Sequence, residues 1–182
     1  RRVLFRSPLL AQMPSREIIG ADNSASMLDV ASLAQPADVV KRVRRLQMSA
    51  FEIDLPDNSV DSVFCMRLLH HIGDASHRMA LLRELHRVSR DSVIISLWVD
   101  GNFKAWKRKR LERQRAAEAD QYGYQNRFVL PAATVEAEFK KAGFTVQDHL
   151  DFCSHLQMVE NFSLRKISRL QKRKNSCMVI DE

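Results

Sequence analysis

Glycine is scarce in this chain. Only Gly20, Gly73, Gly101, Gly123 and Gly143 occur among 182 residues, against a usual share of about 7%. No two of them are close in sequence, which excludes a glycine-rich phosphate or dinucleotide loop within the chain. Such loops need clustered residues without a Cβ so that backbone can approach the ligand. Cysteine is equally sparse: Cys65, Cys153 and Cys177 are odd in number, far apart and form no C-x-x-C pair. That excludes a disulfide framework, no metal-ligand set is legible, and a reducing, cytoplasmic setting is expected. No apolar run approaches the roughly 18 residues of a membrane span, and no signal-type stretch opens the chain, so no membrane span is expected.

What is present is a 45% apolar composition, enough for one domain with its own core. The formal charge of +7 points towards anionic partners. However, much of the excess sits in 104–115 and 165–174, where a solvated helix face is the commoner explanation.

The hydrophobic pattern alternates between strand and helix. Glu17–Ala21 reads as a buried strand that ends in the polar group Asp22, Asn23 and Ser24. Met27, Leu28, Ala31 and Ala34 then give a helical stripe behind a Ser24 cap, which Pro36 stops. Arg44–Met48 reads as a modest strand, Leu55–Asn58 as a turn and Val60–Met66 as a strong strand. A helix is expected over Ala75–Ser89 and a doubly buried strand over Ser92–Val99. Residues 102–119 are charge-dense and helical by propensity. Pro131 and Gly143 bracket a further helix, followed by a strand from Phe144 to Leu150. The fold class expected is α/β: a Rossmann-like, doubly wound, mostly parallel sheet with helices on both faces. Residues 1–152 are expected to form its domain and 153–182 a basic tail to which the pattern assigns no structure. Pro8–Met13 reads as the end of a helix leading into the Glu17 strand.

A carboxylate at the end of a strand in such a sheet stands at the ligand crevice, where it can accept hydrogen bonds from ribose hydroxyls. Asp22 has that place, although an Asp before Asn and Ser is also a common turn or cap residue. His70 and His71 follow the Val60 strand, and an imidazole there suits a general base as well as a packing role. Trp98, Trp106, Tyr122 and Tyr124 are candidates for the wall of an acceptor pocket or for core.

Three segments occur in order: IIGADNSASMLDVA (Ile18–Ala31), AFEIDLPDNSVDSVFCMRLLHHI (Ala50–Ile72) and RELHRVSR (Arg83–Arg90). Over roughly residues 8 to 150 the chain resembles the class I S-adenosylmethionine-dependent methyltransferases, particularly their ubiquinone/menaquinone-biosynthesis-like group. The family's glycine motif, carried on its first strand, has no counterpart here, so the chain reads as N-terminally incomplete, with first strand and glycine loop missing or degenerate. The resemblance implies S-adenosyl-L-methionine as cofactor. It implies that Asp22 binds the ribose, with Asn23 and Met27 on the same side. It sets Ser49, Ala50 and Phe51 against the adenine, with a neutral hydroxyl at Ser49 where the family carries an acid. Cys65, Met66 and Arg67 would floor the methionine part.

The function expected is methyl transfer to a small-molecule acceptor held by 102–128, with His70 or His71 as base. Alternatives are a nucleic-acid-binding or nucleic-acid-methylating protein using 104–115, and an inactive methyltransferase-like fragment.

Overall fold

In the computed structural model, residues 7–100, 110, 128–152, 159–166 and 176–180 are described. The strands are β1 (Glu17–Asp22), β2 (Val43–Gln47), β3 (Val60–Met66), β4 (Ser89–Leu97), β5 (Phe144–Phe152), β6 (Val159–Lys166) and β7 (Ser176–Ile180). The helices are α1 (Ser7–Leu10), α2 (Ala25–Leu33), α3 (Ala37–Arg42), α4 (Ala75–Val88) and α5 (Ala132–Lys141), with a 3₁₀ turn at Leu69–His71. All seven strands form one sheet in the order β2-β1-β7-β3-β4-β6-β5. It is parallel except for β6, which runs antiparallel to β4 and β5. The mostly parallel α/β fold expected from the alternation is the fold observed.

Local signals explain most elements. Ser24 caps α2 with extended dihedrals, its Oγ accepting the Met27 amide at 3.4 Å. Asp74 caps α4 through the His77 amide. Pro36 does stop α2, but it also stands at the N-cap of α3, a helix the sequence pattern does not reveal. β4 begins three residues before the Ser92 start expected from hydrophobicity. Gly143 ends the α5 turn at φ +92°, where a Cβ would come within 3.0 Å of the His86 ring.

Two apolar clusters cover the two faces of the sheet. The larger joins α4 and α5 to the β3 and β4 side through Leu81, Leu85, Val135 and Phe139. The smaller joins α1, α2 and α3 to the β1 side through Leu10, Ala31 and Val39. Each fully buried Leu or Phe contributes about 1.5–3 kcal/mol. Polar ties fix the helices over these clusters. Arg78 makes a two-pronged ion pair with Glu138 (2.6 and 2.9 Å), joining α4 to α5, and also donates to the Gly73 carbonyl at 2.7 Å. Arg42 donates to the carbonyls of Met13, Pro14 and Arg16, pinning the entry to β1.

Beyond Phe152, in the basic tail for which the sequence pattern assigns no structure, two strands are found. β7 enters the middle of the sheet, parallel to both β1 and β3, which pair with it and not with each other. Met178 and Ile180 join the larger cluster, and Cys177 and Val179 the smaller. An apolar strand buried on both faces is the usual occupant of a parallel sheet's interior. Its first residue is held by Asp61, whose carboxylate also pairs with Arg90.

Candidate functional site

The parallel strands β1, β2, β7 and β3 end along one edge, and the residues singled out from the sequence lie on or just past those ends. From β1 the chain turns outward to β2, and from β3 it turns the opposite way to β4. The divergence leaves a crevice beyond β7, the place where open α/β sheets bind ligands.

Asp22 closes β1. It is 7% exposed, and one carboxylate oxygen accepts the Ser24 amide at 2.7 Å. The other, Oδ2, is buried and receives no hydrogen bond among the described residues. A buried carboxylate oxygen left without a donor is costly, and a ligand bearing hydroxyls would satisfy it. The Asp22 carbonyl takes the Met48 amide at 3.1 Å, which draws the end of β2 alongside. Asn23 is exposed and Met27 half-buried, on the turn and first helical residues that follow.

Past β2 the chain makes a tight turn. The Ser49 Oγ accepts the Phe51 amide at 3.2 Å, and the Ser49 carbonyl accepts the Glu52 amide at the same distance. Ala50 packs on the larger cluster, while Phe51 is 44% exposed. A clamp from α4 fixes the stretch after this turn. Glu84 accepts the Ile53 amide at 2.9 Å, and Arg87 donates to the carbonyls of Ile53 and Leu55, each at 2.7 Å. The two side chains also pair with each other at 2.8 Å. The Arg87 hydrogen bond, followed by the Ile53 amide, holds the Glu84 carboxyl below its ordinary range.

At the end of β3, Cys65 is fully buried in the core and Met66 nearly so. Arg67 then takes a left-handed backbone, φ +61°, at a cost of about 1–2 kcal/mol for a residue with a Cβ. Its amide donates to the Ser96 Oγ at 2.8 Å, from the neighbouring strand β4. The 3₁₀ turn follows. His70 is fully buried and stacks on Trp98, centroids 4.7 Å apart and planes within 7°, while His71 is half-buried and tilted against His70 at 4.2 Å. The His70 carbonyl accepts the Phe128 amide at 2.7 Å, so the segment before α5 straps over this turn.

The structure thus brings Asp22, Asn23, Met27, Ser49, Ala50, Phe51, Met66, Arg67 and His71 to one edge, and sets Cys65 and His70 into the packing behind it. Of the aromatic candidates, Trp98 backs His70, while Trp106, Tyr122 and Tyr124 lie outside the described residues. So does the basic segment 104–115, Arg110 apart. Sequence reasoning missed the Glu84–Arg87 clamp, whose only local signal is the i,i+3 spacing of opposite charges, and Ser96, which nothing local marks. Among the described residues no group of His, Cys, Asp and Glu is placed to hold a metal, and no helix is long and apolar enough to cross a membrane.

Residues 5–97 match the family model described as a methyltransferase domain. Among solved structures, an S-adenosylmethionine-dependent methyltransferase from Methanosarcina mazei superposes with a TM-score of 0.68 at 12% identity, covering 89% of this chain and 86% of that one. The magnesium protoporphyrin IX methyltransferase from Synechocystis, solved with bound S-adenosylhomocysteine, gives 0.62 at 13% identity, covering 81% and 63%. The cyclase SpnF gives 0.62 at 17% identity, covering 87% and 70%. At these identities the likeness is one of fold. No curated protein sequence matches the chain.

Proposed function

The chain belongs to the methyltransferase-domain family, and from that premise we propose that it transfers a methyl group from S-adenosyl-L-methionine to a small-molecule acceptor. The observation that carries this reading is the undonated Oδ2 of Asp22 at the crevice. It is an acceptor held ready for a sugar hydroxyl while Oδ1 is occupied by the chain itself.

When bound, the cofactor supplies an electrophilic methyl group on a sulfonium. The chain's own residues hold and orient. Asp22 accepts the ribose hydroxyls, and Asn23 and Met27 border them. Ser49, Ala50 and Phe51 form the adenine side, with the exposed Phe51 ring offering an apolar face and the Ser49 hydroxyl turned inward to its own loop. Met66 and Arg67 floor the other end, with Cys65 packed beneath. Displacement at a methyl group depends chiefly on alignment, so a rigid floor matters more than strong acid–base chemistry. His71 is the side chain suited to take a proton from a hydroxyl or amine acceptor, because it is half-buried where its neighbour is fully enclosed. His70, sealed against Trp98, positions it.

Calorimetry with S-adenosylhomocysteine tests this reading. Wild type should bind. Asp22→Asn, which keeps an oxygen for the Ser24 amide, should fold normally and bind at least about tenfold more weakly, the value of one hydrogen bond to a charged group. Absence of heat with wild type, or equal affinity in the two proteins, would overturn it.

A further inference from the structure

Among the described residues, the arginines that tie the fold together are engaged by carboxylates or carbonyls, and Arg67 differs from them. Arg78 is spent on Glu138, Arg87 on Glu84 and Asp57, Arg90 on Asp61, and Arg42 on backbone carbonyls. Arg67 is half-buried, yet its guanidinium makes no hydrogen bond or ion pair among the described residues; only its backbone amide is engaged. A guanidinium does not lose its proton, and its planar fork of five donors matches a carboxylate two bonds at a time. A guanidinium without a counter-charge at the mouth of a ligand crevice is open to an anion that arrives there.

Place and backbone agree with that reading. Arg67 follows the last residue of β3, two residues beyond the point where Cys65 pairs with Ile180 of β7, and so stands at the crevice across β7 from Asp22. Its left-handed backbone is fixed in advance by a fully buried neighbour, Ser96, itself paired in register with Met66. Strain retained in a non-glycine residue at a strand end beside a ligand crevice is characteristic of a functional position.

We propose that Arg67 is the carboxylate receptor of this crevice, opposite in charge and position to the hydroxyl-accepting Asp22. The carboxylate has two possible sources, the amino-acid end of the cofactor or the methyl acceptor; the first of these rests on the methyl-transfer reading.

The test uses the full chain as wild type, Arg67→Met, Arg67→Gly and Arg67→Lys. Arg67→Met keeps the backbone cost and removes the charge, while Arg67→Gly suits the left-handed turn and guards against a folding failure. Calorimetry compares S-adenosylhomocysteine with methylthioadenosine, which shares the nucleoside thioether and lacks the carboxylate, and then titrates benzoate into the S-adenosylhomocysteine-saturated protein. If the cofactor supplies the carboxylate, Arg67→Met and Arg67→Gly weaken S-adenosylhomocysteine about tenfold or more and leave methylthioadenosine unchanged. Arg67→Lys falls between. If the acceptor supplies it, both nucleosides bind as in wild type and benzoate binding is lost. The proposal is overturned if the variants change neither the ratio of the two nucleosides nor benzoate binding, or if they weaken both nucleosides alike. Should wild type bind neither nucleoside, the methyl-transfer reading fails by itself. Benzoate binding to the unliganded chain, present in wild type and absent in Arg67→Met, would then still uphold the receptor, and its absence from both would overturn it.

Discussion

Asp61 and Ser176 exchange hydrogen bonds across 115 residues of chain: the Asp61 carboxylate accepts the Ser176 amide at 3.0 Å, and the Ser176 hydroxyl accepts the Asp61 amide at 3.1 Å. This clasp seats the first residue of β7, and Arg90 on the same carboxylate supplies the counter-charge. Both charges are buried, so removing one leaves the other uncompensated, a loss of about 3–5 kcal/mol. Asp61→Asn should therefore lower the urea midpoint strongly. Asp61→Asn combined with Arg90→Met should recover part of that loss. A double variant no more stable than the single would show that the clasp to β7, and not the stranded charge, carries the cost.

Because β1 and β3 meet only through β7, undocking of that one strand would part the two sides of the crevice. Cys177 reports on it. Its thiol is 7% exposed, and burial pushes its pKa above the ordinary 9.0. The folded state thus favours the protonated thiol, a stabilisation fully present below pH 9.0 and lost as pH rises through the higher folded value. At about pH 8 the thiol should react with a thiol reagent at least about a hundredfold more slowly than a free one, at a rate set by local opening. Asp61→Asn should accelerate Cys177 more than the fully buried Cys65 of β3, as read by mass spectrometry of the labelled peptides. Equal acceleration of both would mean that β7 leaves only when the whole domain unfolds.

What could be read from the chain, and what could not, divides along the same line. Val60–Met66, the α4 stripe and the Ser24 cap are local signals, and each element formed where its residues indicate. Asp22 could be assigned to the ligand edge because it ends a strand of a parallel sheet, whereas Ser49 and Arg67 were reached only through the family resemblance. β7 was illegible because five residues with three clear apolar side chains, set in a basic stretch, carry little local preference. Their strand character comes from two partners more than a hundred positions away in sequence. The left-handed backbone of Arg67 was hidden for a related reason, since no glycine marks it and the hydroxyl that holds it arrives from the adjacent strand.

The Glu84–Arg87 clamp ties the loop after Ser49 to α4, and its strength should vary with pH. Glu84 has a folded pKa held below the ordinary 4.5, chiefly by Arg87. Its stabilisation is therefore present above pH 4.5 and is lost as pH falls through the depressed folded value. The pair is partly exposed, so Glu84→Gln should cost only about 1 kcal/mol at neutral pH. The difference between wild type and Glu84→Gln in urea denaturation should shrink on acidification below 4.5. A difference that stays constant down to acid pH would exclude the carboxylate as its source.

Gly73 lies where the strap before α5 crosses the 3₁₀ turn, and a Cβ there would meet the Phe128 ring at 2.5 Å. The contact is too close for any side chain, so Gly73→Ala must displace the ring and strain the bond from the Phe128 amide to the His70 carbonyl. Overpacking of this kind costs about 1–3 kcal/mol. The site should feel it unevenly. Asp22 and the Ser49 turn lie on β1 and β2, away from the strap, whereas His70 and His71 lie directly beneath it. Gly73→Ala should accordingly leave S-adenosylhomocysteine affinity within about twofold of wild type while destabilising the fold, and Phe128→Ala in the same chain should restore stability by making room. If Gly73→Ala instead weakened S-adenosylhomocysteine as much as Asp22→Asn does, the strap would belong to the cofactor side of the crevice and not to the acceptor side.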